Sequence, residues 1–208
     1  MAGTYDVARS YEENYQAGPL IQTFPPPRTT TPKQTFLGFS VHSLLGVPAG
    51  PLLNANWVLA YAALGFDLLV YKTVRTASAP SHPNPNCVFL QVTEELSPAD
   101  FGKRLVSTPI PPVSHDQISI TNSFGMPSRD PKLWQDDVQI AKRGIGLGQV
   151  LIVSVVGTPG ASGGDLAVDY ATGALLAVDA GADMIEINLS CPNVATGEGS
   201  VYTDPVFS

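Results

Sequence analysis

Cysteine, charge and long apolar runs are all scarce in this sequence of 208 residues. Its only cysteines, Cys87 and Cys191, lie far apart. Two thiols so placed make no disulfide framework and suit a reducing compartment. Charged residues make up 14% of the chain, and 18 acidic against 11 basic side chains leave a formal net charge of −7. Such a surface repels phosphate backbones, so no nucleic acid partner is expected. Apolar runs stop at strand length, well short of the ~20 residues a membrane span needs, so no membrane association is expected either. No basic segment followed by an apolar stretch opens the chain, so no secretory leader is read and a cytoplasmic location is expected. The histidines, His42, His82 and His115, share no ligand spacing, and no metal is expected. No fixed-period repeat stands out. What is present is 44% apolar residues, enough for the core of a buried α/β domain.

Residues 1–34 form a polar lead with proline and threonine runs, read as a flexible arm with a short helix near Val7–Tyr15. From residue 35 the character changes. The apolar runs Phe36–Val41 and Leu44–Val47 flank His42-Ser43 and suggest a β-hairpin. Alternation follows: a strand over Val47–Leu53, a helix over Asn54–Leu64, and a strand over Phe66–Arg75. Residues 77–117 are a Pro-, Ser- and Asn-rich excursion holding a short strand at Cys87–Val92, and Ile118–Ser123 is another. Trp134, Val138 and Ala141 have helical spacing, with Asp130 as N-cap and Pro131 at the first helical position. Val150–Val156 is apolar except for Ser154, as in a strand buried on both faces. Asp165–Ala180 reads as a helix closed by Gly181, and Met184–Asn188 as the next strand. Successive units of this kind point to a parallel α/β fold, either doubly wound or closed into an eight-stranded barrel. A complete barrel takes about 250 residues, so a barrel reading leaves roughly half of it missing.

The glycines at 144, 146 and 148 precede a strand and read as a helix-to-strand turn, and those at 157, 160, 163 and 164 lack the Lys-Ser/Thr pair of a nucleotide loop and read as a flexible strand-to-helix loop. Lys72 sits inside the apolar run Leu68–Val74. It is either a strand-end lysine snorkelling to solvent or a fixed cation at the mouth of the sheet. Asn122–Ser128 is either a turn or a binding loop whose amide donates and accepts hydrogen bonds. The strongest signal is Asn188-Leu189-Ser190-Cys191-Pro192-Asn193, where two amides, a hydroxyl and a thiol crowd the C-terminal end of a strand. A lone cysteine is more often a small buried hydrophobe, but this crowding favours a site.

Four segments together resemble the dihydroorotate dehydrogenase family. They are Pro48-Ala49-Gly50, Tyr71-Lys72-Thr73-Val74, Asn122-Ser123-Phe124-Gly125-Met126-Pro127 and Asn188–Asn193, in the family's order and with similar spacing. The resemblance runs from about residue 35 to the end. It implies the first half of a (β/α)8 TIM barrel preceded by a β-hairpin, with residues 1–34 as an arm and 35–208 as the partial, FMN-binding barrel. It further implies oxidation of dihydroorotate to orotate in pyrimidine biosynthesis by a protein that is a homodimer when intact. Ala49 and Gly50 would line the flavin, Lys72 and Thr73 would contact it, and Lys72 would also reach the substrate. Asn122, Phe124, Gly125 and Met126 would surround the pyrimidine, Asn188 would touch flavin and substrate, and Asn193 the substrate. Cys191 resembles the general base of the family's soluble class. Oxidation removes a proton from one ring carbon and a hydride from its neighbour, which calls for a close base, a hydride acceptor and a cation to offset charge.

Ser128 stands where the family commonly has Asn, and Met126 where Leu is usual. The family's second half carries a further flavin lysine, an Asn-Ser substrate pair and the phosphate-gripping glycine loops. Two other readings stay open: a relative acting on dihydropyrimidines, and a non-catalytic half-barrel module. The electron acceptor is open among fumarate, NAD through a partner subunit, and quinone.

Overall fold

The computed structural model describes residues 4–92, 94–191 and 201–203. Its centre is a four-stranded parallel sheet in the order β3 (Gly46–Val47), β4 (Leu68–Val74), β8 (Val150–Val155), β9 (Met184–Ile187). Helices α2 (Ala55–Ala63), α3 (Pro131–Gly144) and α4 (Leu166–Asp179) connect these strands. The helices start where side-chain oxygens meet free backbone N–H groups. Asn54 accepts from the Trp57 N–H, Asp130 from Lys132, and Asp165 from Ala167 and Val168.

Strand order follows chain order, and α2 packs on α3, which packs on α4. A doubly wound sheet reverses its order and carries helices on both faces. The described portion is therefore singly wound. Every residue of β4 and β8 is buried, and the two faces carry separate cores. Leu69, Tyr71, Leu151 and Val153 pack against Trp57, Trp134 and Val138 of the helices. Leu68, Val70, Val150 and Ile152 face the other way, onto Val41, Ala49 and Phe39. Each large side chain so buried contributes about 1.5–3 kcal/mol.

The element that covers this second face differs from the sequence expectation. No hairpin forms about His42-Ser43. The run Phe36–Val41 folds on itself as the antiparallel pair β1 (Gln34–Phe36) and β2 (Phe39–Val41), turning at Leu37 and Gly38, both with positive φ. Leu44–Val47 instead delivers β3 to the parallel sheet. A Cβ on Gly46 would lie 2.6 Å from the Leu68 carbonyl oxygen, so this close approach needs glycine. The strand expected over Val47–Leu53 shrinks to β3 alone, because Pro48 and Pro51 cannot donate to a ladder.

The excursion forms a second, antiparallel sheet in the order β6 (Ser107–Thr108), β5 (Cys87–Leu90), β7 (Ile120–Asn122). The segment read as a flexible arm is docked. Its helix α1 (Tyr11–Ala17) starts later than expected, at a capping box between Ser10 and Glu13. Tyr11 and Asn14 are buried, the Tyr11 N–H donates to Asn86 Oδ1, and the Asn54 amide donates to the Tyr15 carbonyl. Among the described residues no helix is long and apolar enough to cross a membrane.

Candidate active site

The site grows from an irregularity in β4. Tyr71 is in register with Val153 and Val74 with Val155, so Lys72 and Thr73 together oppose the single Ser154. This is a β-bulge, which bends a strand and re-aims its side chains. The Lys72 N–H is satisfied by the Leu52 carbonyl at 3.0 Å. Thr73 Oγ1 and Ser154 Oγ are 3.0 Å apart, and Ser154 is in register with Glu186 of β9. A polar layer thus forms at the C-terminal ends of β4, β8 and β9, above the apolar layers of the same face.

Asn188 enters this layer directly after β9. Its Nδ2 donates to Thr73 Oγ1 at 3.1 Å and approaches the Met126 Sδ at 3.7 Å. Its own carbonyl accepts from the Tyr170 hydroxyl at 2.6 Å, and its Oδ1 accepts from the Ser190 N–H at 3.1 Å. These contacts fix the amide's rotamer. Lys72 is only 7% exposed and does not snorkel. Burial pushes its ammonium down to about 8, the nearby Cys191 pulls it back up, Arg75 pushes it further down, and Glu186 raises it. Cys191 is half-buried with a free thiol.

Lys72, Thr73, Met126, Asn188 and Cys191 therefore converge. The other expected site residues are placed differently. Ala49 is buried among Val70 and Ile152, and Gly50 is exposed with open space where a Cβ would stand. Asn122 ends β7 on the antiparallel sheet, opposite Cys87. The Phe124 ring turns to Tyr5 and Tyr11, at centroid distances of 5.6 and 5.4 Å. Gly125, at φ +76, packs against the His82 ring, whose Nδ1 lies 2.9 Å from the Ser123 hydroxyl. Asn193 lies outside the described residues.

The sequence reading did not assign roles to Ser154, Glu186 or Arg75. Ser154 did carry a signal, as the lone polar residue in a strand buried on both faces. A cavity also opens on the arm side of β4, lined by Tyr11, Tyr15, Lys72, Thr73, Ser128 and Arg129. Neither Asn188 nor Cys191 lines it, so the chemistry is read from the polar layer and not from this cavity.

What the layer offers is a buried cation, an amide that donates and accepts, hydroxyls and a thiol. Such a set can pair with the ring edge of a flavin, which presents carbonyl acceptors and N–H donors.

Comparison with known proteins gives a consistent picture. A curated relative named dihydroorotate dehydrogenase, from Dictyostelium discoideum, is 41% identical over 209 residues, covering 97% of this chain and 56% of the relative. The chain thus spans about half the length of the curated relative it matches. A structure of the dihydroorotate dehydrogenase of Eimeria tenella in complex with ferulenol matches with a TM-score of 0.54 at 18% identity, over 76% of this chain and 36% of that one. The ligand-free enzyme of the same organism matches with a TM-score of 0.59 at 19% identity, over 83% of this chain and 42% of that one. At these identities the structural likeness speaks for the fold. No family model matches the chain. Similarity to dihydroorotate dehydrogenase thus runs along nearly the whole chain, further than the four motifs, which placed it only from about residue 35.

Proposed function

We propose that this chain is the N-terminal half of an FMN-dependent β/α barrel that oxidises dihydroorotate to orotate. The observation that carries the reading is the bulge, which sets Lys72 and Thr73 together opposite Ser154 at the ends of parallel strands, with Thr73 bonded to Asn188 and Lys72 near Cys191. Active sites of such barrels lie at that end. FMN, when bound, supplies the hydride acceptor. Lys72, Thr73 and Asn188 would hold its ring, and Ala49 and Gly50 would line it. Cys191 takes the proton from the substrate's ring carbon as general base. Lys72 offsets the substrate carboxylate and the negative charge that accumulates in the site. Asn188 orients the substrate without adding charge. Met126, Gly125, Asn122 and Asn193 complete the substrate side, with Phe124 bracing their loop from behind.

The test is anaerobic. Purified protein is given excess FMN, because four of eight barrel strands wall only one side of the ring and binding by this chain is expected to be loose. Dihydroorotate is then added and the visible flavin band followed. Bleaching by dihydroorotate and not by dihydrouracil is the expected result. Bleaching by dihydrouracil alone moves the substrate to the dihydropyrimidines. No bleaching by either, with bound FMN demonstrated, leaves the non-catalytic module.

A further inference from the structure

Arg75 directly follows β4 and is buried, with 5% of its surface exposed. A guanidinium so deep must be hydrogen-bonded to be tolerated. Its Nε donates to the Met126 carbonyl at 3.1 Å, and its Nη1 donates to the Thr158 hydroxyl at 2.8 Å. Its backbone joins the same assembly: the N–H donates to Ser128 Oγ, and the carbonyl accepts from the Trp134 indole. Two loops at the mouth of the sheet are thus tied to one side chain, the Asn122–Ser128 loop and the loop that follows β8. The second is anchored in turn. The Thr158 N–H and the Thr76 hydroxyl both donate to Asp169, which is fully buried.

The tie to Met126 matters because of Met126's backbone. Its φ is +49, a left-handed conformation that costs a side-chain-bearing residue about 1–3 kcal/mol and persists only where its surroundings enforce it. The residue is buried, and its thioether meets the Asn188 amide that also donates to Thr73. A planar fork with donors at fixed angles suits two acceptors on two different loops better than a flexible ammonium does.

We infer that Arg75 is a positioning residue: through the Met126 carbonyl and the Thr158 hydroxyl it holds Met126 left-handed, and so holds the Asn188 amide in the orientation it presents to a ligand. The inference rests on the proposed function only for the identity of that ligand.

The test reads the contact itself. In a nuclear Overhauser spectrum of the 208-residue chain, the Met126 ε-methyl should show a cross-peak to the Asn188 side-chain amide. Arg75→Gln should abolish it, and Arg75→Lys, which keeps the charge and loses the fork, should not restore it fully. Thr158→Val removes one anchor of the fork and is nearly isosteric. It should weaken the cross-peak, and it decides the question if Arg75→Gln fails to fold. An undiminished cross-peak in folded Arg75→Gln, or in Thr158→Val where the former is unfolded, overturns the inference. A parallel titration with orotate in the presence of FMN should move the wild-type Asn188 amide signal. If it does not, the dihydroorotate reading fails while the Arg75 result stands on the cross-peak alone.

Discussion

Replacing Lys72 by Met is expected to make this protein more stable. The residue is 7% exposed and its ionisation is displaced from an ordinary 10.5 to about 8. That difference, at about 1.36 kcal/mol per unit, corresponds to about 3 kcal/mol by which burial disfavours the charged lysine in the folded state. The partial compensation from Cys191 and Glu186 is already contained in it. Methionine keeps an unbranched stem of similar volume without the charge. Lys72→Met should therefore gain on the order of 2–3 kcal/mol near neutral pH, where wild type carries the full cost.

The sign is open to a direct check. Because the folded-state value is depressed, the unfolded chain binds more protons than the folded chain between about pH 8 and 10.5. Wild-type stability should rise across that window, and the advantage of Lys72→Met should shrink. Tyr5, Tyr11 and Tyr71 act in the opposite sense. Burial raises all three phenols first of all, so their contribution is present below about pH 10 and is lost above it. Urea titrations followed by the fluorescence of the buried Trp57 and Trp134, from about pH 7 to 9.5, keep the two effects apart. A variant no more stable than wild type near neutral pH, or an advantage that does not narrow as pH rises, would refute the reasoning and return Lys72 to a solvated strand end.

Three further outcomes are expected. Cys191→Ala should slow flavin reduction by dihydroorotate by roughly 10²–10⁴-fold, the usual worth of a positioned base, while orotate affinity changes little; stopped-flow rates near wild type would exclude the role. Asp137 Oδ2 accepts both from the Tyr71 hydroxyl at 2.6 Å and from the Ala55 N–H at 2.7 Å, tying α3 to β4 and to the start of α2. Asp137→Ala should cost about 2–3 kcal/mol in urea unfolding, since two buried donors lose their acceptor. Gly125→Ala should cost about 1–3 kcal/mol, since it strains the backbone and drives a methyl into the His82 ring; a thermal melt unchanged from wild type would show that the loop yields freely.

Much of the fold is legible where local chemistry decides it. Asn54, Asp130 and Asp165 mark three helix starts within a residue, because a side-chain oxygen beside free N–H groups is a local event. Strands β4 and β8 stand out as apolar runs of strand length. The antiparallel pair was misplaced because two apolar runs about a polar dipeptide look like a hairpin, whereas the turn at Leu37-Gly38 is set by backbone conformation. The extent of β3 was overread because hydrophobicity hides the missing N–H groups of Pro48 and Pro51. Docking of α1 is a tertiary event, made by the Tyr11 N–H on Asn86 and the Asn54 amide on the Tyr15 carbonyl, and a polar composition conceals it. The motif residues of the site were visible one by one. The bulge that joins Lys72 to Thr73 was not, since it exists only in the register between β4 and β8.

That register bears on the choice between a catalytic and a purely structural reading. A half-barrel built only for binding or assembly gains nothing from a lysine buried beside an arginine, because an apolar residue at position 72 would complete the layer at lower cost. Here three locally unfavourable features meet in one place: the extra residue in β4, the desolvated cation it presents, and the left-handed Met126 whose thioether touches Asn188. Each alone has a structural explanation. Their convergence on one polar layer at the strand ends is what an active site built on a rigid sheet entails, since strain and desolvation concentrate where chemistry is done. The Lys72→Met experiment separates the two readings. A structural lysine would leave stability unchanged or lowered on removal, whereas a lysine kept for its charge should raise stability on removal and abolish reduction of flavin by dihydroorotate.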